Sequence, residues 1–171
     1  MLDKSKKESI ILIGMPGCGK STVGVLLAKA LCMQFLDTDI MIQRREKKPL
    51  QRIIAEKGND YFSRAERRAL MSLCPRGQVI ATGGSVIFYP RAMEHLKTLG
   101  KVIFLDVPFE ELERRIWNLE SRGIVFKPGQ DLRGLFEERE PLYKKYADFS
   151  VSSVPGPAER VVARIKETLK L

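Results

Sequence analysis

The residues best suited to chemistry in this chain lie between Gly14 and Thr22, read GMPGCGKST. Glycines at 14, 17 and 19 leave no Cβ in the way of a tight turn, so successive backbone N–H groups can point inward at anionic oxygens. Lys20 can reach β and γ phosphates, and the Ser21 hydroxyl is a hard oxygen ligand for the Mg²⁺ that such phosphates carry. The stretch fits G-x-x-x-x-G-K-[ST] at every fixed position, which points to a bound nucleoside triphosphate. Cys18 sits among N–H groups beside Lys20, which can lower a thiol pKa, although filling the loop is the plainer role.

A second constellation is Asp37-Thr38-Asp39. Carboxylates at i and i+2 at the end of a strand point the same way, so one can order water on Mg²⁺ while the other accepts a hydroxyl proton. The competing role is structural, with Asp39 as N-cap of the helix IMIQRRE that follows. A third is Thr82-Gly83-Gly84-Ser85, where two glycines permit close backbone approach to a ligand or simply a tight turn. Arginine 122 opens an irregular segment with Gly123, Pro128 and Gly129. From such a lid an arginine can fold over transferring phosphoryl oxygens.

These groups need elements to hold them. The apolar run Ile10 to Ile13 precedes the glycine loop, and a helix from Lys20 to Leu31 follows, with Val23, Leu26, Leu27, Ala30 and Leu31 at core spacing. Further strands are expected at Gln34 to Leu36, Gln78 to Ala81, Lys101 to Val107 and Phe149 to Ser152. Between them fall helices at 49–57, 60–73, 89–99, 109–121, 131–146 and 158–170, with Gly58 ending the first of these. Alternating strands and helices give an α/β fold, a five-stranded parallel sheet covered on both faces. The loop, the Asp37 to Asp39 turn and the Gly83-Gly84 turn all follow strands, so right-handed crossovers bring them to one edge. Trp117 reads as packing rather than as a stacking partner for a base.

Length and charge narrow the class. The 171 residues suit a single domain, and no internal repeat, low-complexity tract or linker divides them. Met1 to Glu8 lacks the apolar centre of a signal peptide, and no apolar run approaches the ~20 residues of a membrane span, so a cytoplasmic location is expected. Cys18, Cys32 and Cys74 form no C-x-x-C pair and His95 is the one histidine, which argues against a structural metal. A net charge of +9 favours anionic partners. The clusters around Arg44 and Arg64 follow helical spacing, as solvated helix faces do.

GMPGCGKST, LDTD, ATGG, a lid arginine and R-x-P-L-Y-x-x-Y-A-D, in this order, resemble the shikimate kinase family of small P-loop kinases, over nearly the whole chain. The resemblance implies a three-layer fold with strand order 2-3-1-4-5, substrate-binding helices at about 40–73 and a mobile lid at about 121–134. It implies ATP on Gly17, Cys18, Gly19, Lys20, Ser21 and Thr22, with Arg115 against the adenine, the Pro155 turn flanking it and Arg122 as lid arginine. Ser21 and Asp37 would hold Mg²⁺, Asp39 would orient and deprotonate the acceptor hydroxyl, Gly83 and Gly84 would touch the acceptor, and Arg139 would pair with its carboxylate. Lys20, Asp39 and Arg122 would carry the catalysis.

Three positions depart from the family pattern. Its substrate helix reads F-R-x-x-E, but here the stretch is Phe62-Ser63-Arg64-Ala65-Glu66, with serine in place of the arginine. Losing one of two charged partners of a carboxylate costs ~1.5 to 3 kcal/mol. Arg67, at i+4 from Ser63, is the candidate replacement, against a solvated arginine as the alternative. Ser85 stands where the family commonly has a third glycine, and Gly123 where proline follows the lid arginine. The expected activity is transfer of the γ-phosphoryl group of Mg·ATP to a hydroxyl of a small carboxylated metabolite by a monomeric enzyme, with shikimate as the leading acceptor. A sugar acid such as gluconate is the alternative acceptor. A basic nucleotide-dependent RNA-binding or regulatory module is the alternative of another class, its RNA-binding form disfavoured by the low aromatic content of 8%.

Overall fold

The computed structural model describes residues 8–74, 76–116, 129–153 and 156–171. Strands β1 (Ser9–Ile13), β2 (Gln34–Asp37), β3 (Gln78–Ala81), β4 (Gly100–Asp106) and β5 (Phe149–Ser152) form one parallel sheet, ordered β2-β3-β1-β4-β5. This is the order the resemblance implies. β1 and β3 are buried along their whole length, which is why they read as unbroken apolar runs; strands covered on both faces show no alternation. The edge strands β2 and β5 are more exposed.

Helix α1 (Lys20–Leu31) packs on β1, β2 and β3 and against α7 (Ala158–Leu169), which also meets β5. On the other side, α4 (Pro90–Leu99) lies on β4 and against α3 (Leu50–Met71), and α6 (Leu132–Tyr146) also reaches β4. α2 (Thr38–Glu46) and α5 (Phe109–Arg115) complete the helices of the described residues, with a 3-10 turn at Val86–Phe88 that the sequence pattern did not announce. Ile42, Leu50, Ile53, Phe62, Ala65 and Ala69 form a small core of their own between α2 and α3, apart from the main one.

Several local expectations change. On α1 the buried positions besides Lys20 are Val23, Gly24, Leu27 and Ala28, while Ala30 is exposed. Gly24 faces the sheet so closely that a Cβ there would lie 2.5 Å from the Phe35 ring. The N-cap of α2 is Asp37, whose Oδ1 accepts from the N–H groups of Asp39 (2.9 Å) and Ile40 (3.3 Å), so the cap lies two residues before the Asp39 considered above. The two helices expected on either side of Gly58 form a single element, α3, broken at Gly58 by a left-handed backbone (φ 78°, ψ 167°). α5 stops at Arg115, where Ile116 takes φ −107° and ψ 58°. The remainder of that expected helix, with Trp117, lies outside the described residues, as do Arg122, Gly123 and Pro155.

Parallel register sets the functional edge. Asp37 lies opposite Ala81, Ala81 opposite Leu12, and Ile13 opposite Phe104, so the segments after β1, β2 and β3 leave the sheet side by side at its carboxyl edge. This is where open α/β sheets place ligands.

Candidate active site

A cleft of about 770 Å³ opens along this edge. At one end is the glycine loop, with Gly14, Gly17 and Gly19 all at positive φ (147°, 78° and 99°), backbone shapes that side chains resist. Cys18 is fully buried beneath the loop: a Cβ on Gly14 would come within 2.9 Å of its sulfur. It fills the loop, as the plainer reading of the sequence had it. No side chain caps the N-terminus of α1, which leaves its first N–H groups to an anion. The Lys20 ammonium, nearly buried, donates to the carbonyl oxygens of Gly14 and Met15 at 2.8 Å each and is held at the loop mouth. Ser21 and Thr22 line the cleft beside it.

Asp37 has two tasks. While Oδ1 caps α2, Oδ2 accepts the Ser21 hydroxyl at 2.6 Å, so the cap and the candidate metal ligand are the same carboxylate. Asp39, one step into α2, faces the cleft. Burial, then the charges of Asp37 and Glu66, push its pKa up to about 7 against the pull of Lys20. A carboxyl poised there suits a base working near neutrality.

The turn after β3 forms the floor. Thr82 anchors it, donating from N–H and hydroxyl to the Leu12 carbonyl at 3.2 and 3.0 Å, and Gly83 N–H donates to the buried Thr38 hydroxyl at 3.2 Å. Both glycines are required by crowding. A Cβ on Gly83 would lie 2.7 Å from Glu66 Oε1 and 3.1 Å from Asp39 Oδ1. One on Gly84 would meet an Arg139 terminal nitrogen at 2.9 Å and Pro16 at 3.0 Å.

Arg139 comes from α6, 4% exposed, with its guanidinium 5.4 Å from the centre of the Phe88 ring. Its Nε has no hydrogen-bond partner among the described residues. A buried guanidinium with an unused donor is costly unless an anion meets it. Tyr143, buried, stacked on Phe104 at 5.2 Å, donates to the Gly84 carbonyl at 2.5 Å and fixes the turn in front of that arginine.

The structure brings most of the sequence-derived candidates to this cleft: Gly17, Cys18, Gly19, Lys20, Ser21, Thr22, Asp37, Asp39, Gly83, Gly84, Arg115 and Arg139 all line it. Arg115 is tied in place by Glu111 (2.7 Å) and by the Cys18 carbonyl (3.5 Å), next to the glycine loop. Two candidates are not brought in. Ser63 and Arg67 do not line the cleft; Arg67 is exposed and lies 5.6 Å from the centre of the Tyr89 ring. A position at i+4 shares a helix face, but on α3 Arg67 meets the ring of Tyr89 instead of the cleft. The residue the sequence reading passed over is Glu66, 5% exposed and lining the cleft. It lies in the stripe of Phe62, Ala65, Ala69 and Leu70, and a carboxylate in an apolar stripe is the signal that could have marked it.

A phosphate-binding loop on β1, a paired-carboxylate turn on β2 and this strand order together define a P-loop kinase. A family model described as shikimate kinase matches residues 16–170. The shikimate kinase of Clostridium botulinum (strain Alaska E43 / Type E3) is 36% identical over 164 residues, covering 95% of this chain and 98% of its own. That of Aquifex aeolicus (strain VF5) is 36% identical over 162 residues, covering 94% and 95%. Among solved structures, the shikimate kinase of Acinetobacter baumannii in complex with shikimate matches with a TM-score of 0.87 and 33% identity, over 96% of this chain and 94% of that one. The crystal structure of the Aquifex aeolicus enzyme matches at 0.83 and 36%, over 95% and 96%. The chain belongs to the shikimate kinase family, and is an ATP-dependent small-molecule kinase.

Proposed function

We propose that the acceptor is shikimate, phosphorylated to shikimate 3-phosphate, bound with its carboxylate at Arg139 and its reacting hydroxyl at Asp39. The observation that carries this is the buried Arg139 guanidinium, whose Nε has no partner among the described residues, across the Gly83-Gly84 turn from Asp39. That pair sorts an acceptor bearing an anion at one end and a hydroxyl at the other. The relative from Acinetobacter baumannii, solved with shikimate, supports the same choice.

In this mechanism ATP lies on the loop with its phosphates against the backbone N–H groups of Gly17 to Thr22 and the Lys20 ammonium. Lys20 neutralises charge that builds on the transferring group, and Asp39 aligns the acceptor oxygen and takes its proton as the phosphoryl group moves in line. Ser21 and Asp37 fit a magnesium site, because a hydroxyl and a carboxylate oxygen already meet at 2.6 Å beside the loop and both are hard oxygen donors. Bound there, Mg²⁺ would neutralise phosphate charge. Arg115 would flank the adenine. Arg122 is assigned to the transferring phosphoryl group and Pro155 to the adenine by resemblance alone. No helix among the described residues is long and apolar enough to cross a membrane. A cytoplasmic monomer that acts on ATP and a small anionic acceptor, without a nucleic-acid partner, completes the proposal.

The test is ADP release with Mg·ATP over a panel of shikimate, quinate, gluconate, homoserine and nucleoside monophosphates. Turnover with shikimate far above the rest is expected. Turnover with gluconate instead would show that the acceptor end has been retuned on the same ATP site.

A further inference from the structure

At the acceptor end, Glu66 is a buried carboxylate that forms no ion pair among the described residues. Its charge is met by neutral hydroxyls. Ser85 Oγ lies 2.6 Å from Oε1 and 2.7 Å from Oε2, and Tyr89 donates to Oε2 at 2.8 Å. Ser63, the position on α3 that could have held a cation, carries a neutral hydroxyl that acts on Tyr89. Arg139 acts on the carboxylate through space.

These contacts also aim the group. A carboxylate has about four lone-pair positions, and two hydroxyl donors leave part of that capacity unused. Glu66 Oε1 and Asp39 Oδ1 converge on Gly83, 2.7 and 3.1 Å from the point where a side chain would begin. The two acidic oxygens therefore flank one patch of cleft floor.

We propose that Ser85 is a positioning residue for the acceptor. Its hydroxyl, with Tyr89, replaces a cation as the partner of Glu66 and holds Oε1 beside Asp39, where it accepts a hydrogen bond from a second hydroxyl of the acceptor. Ser85 thereby tunes the pocket to a polyol: Asp39 takes the reacting hydroxyl, Glu66 its neighbour, and Arg139 the carboxylate. Ser63 and Ser85 form a linked pair, in which the serine on the turn supplies what the serine on the helix cannot.

This inference rests on the acceptor occupying the end of the cleft between Gly83 and Arg139. The experiment is steady-state kinetics on the full chain with Mg·ATP and shikimate for the wild type, Ser85→Ala, Ser85→Thr, Ser63→Arg and the double variant Ser63→Arg/Ser85→Ala. Removing a hydrogen bond to a charged group should raise the shikimate KM of Ser85→Ala by about tenfold while the ATP KM stays within twofold. Ser85→Thr, which keeps the hydroxyl, should recover most of the loss. With an arginine at 63 to pair Glu66, the same Ser85→Ala change should cost less than about twofold, since the two partners then substitute for each other. An unchanged shikimate KM in Ser85→Ala, or an equal rise in both KM values, would overturn the proposal, as would the same loss in both backgrounds. A wild type that does not turn over shikimate would instead defeat the acceptor assignment.

Discussion

From Gly14 to Thr22 the phosphate cradle at the donor end of the cleft is one continuous segment, whereas the acceptor end is gathered from α2, α3, the turn after β3 and α6. The donor end is mostly backbone. Its shape is stored in three positive-φ glycines and an uncapped helix start, and side chains such as Cys18 only fill space beneath it. The acceptor end is mostly side chains, and its contacts join residues 19, 23 and 59 apart in sequence. A backbone cradle survives side-chain substitution, while a side-chain pocket is retuned by it. This is why the departures at Ser63 and Ser85 fall on the acceptor side and leave the phosphate loop intact.

Asp39 joins the two ends, and its loss should have the largest effect. Asp39→Asn should lower kcat by about 10² to 10⁴, the range for a positioned acid or base, with ATP affinity by equilibrium titration little changed. Loss of ATP binding in the same variant would mean that the ends are not separable. Arg139→Ala removes the buried guanidinium and should raise the acceptor KM by about 10- to 100-fold, from the worth of hydrogen bonds to charged groups, with the ATP KM within twofold.

Stability against pH provides a smaller, independent probe. The Asp39 carboxyl is raised in the folded protein from 3.8 to about 7, so between those values the folded state holds a proton that the unfolded chain has released. That contribution is present below about 4 and is lost as pH rises toward 7 and beyond; Glu66, also raised, acts in the same direction. Urea midpoints of the ligand-free protein should therefore fall between pH 5 and pH 8 more in the wild type than in Asp39→Asn. An equal fall in both would place the strain elsewhere. The smallest effect is expected at Arg67, exposed over Tyr89: Arg67→Ala should leave the acceptor KM within twofold. A tenfold rise would restore it as a substrate contact.

Much of the molecule could be read before folding. The run Ile10 to Ile13, the glycines after it and the helix formers from Lys20 announce a strand, an anion loop and a helix, and the structure has them with β1 begun one residue earlier, at Ser9. β5 and its bounds, the break at Gly58 and the convergence of three strand ends were likewise legible, because they follow from backbone preferences and from the handedness of crossovers. The helix cap was misplaced by two residues. Asp37 and Asp39 are equally good caps by type, and only the strand length of β2 decides which one stands at the start of α2.

The sequence by itself marked the loop to which we assign the phosphates, because such recognition is local and uses the peptide backbone, whose geometry glycines report directly. It also supplied the side chains proposed for the chemistry, Lys20, Asp37 and Asp39 by type and spacing and Arg139 by resemblance. The tertiary structure decided who partners whom: Asp37 with Ser21, Glu66 with Ser85 and Tyr89, Arg139 with no described residue on its Nε, and Arg67 with an aromatic face instead of the cleft. Helical spacing gives a face but not the neighbour packed against it. That neighbour comes from an element far along the chain, and burial then makes its hydroxyls and charges worth more than they would be in water.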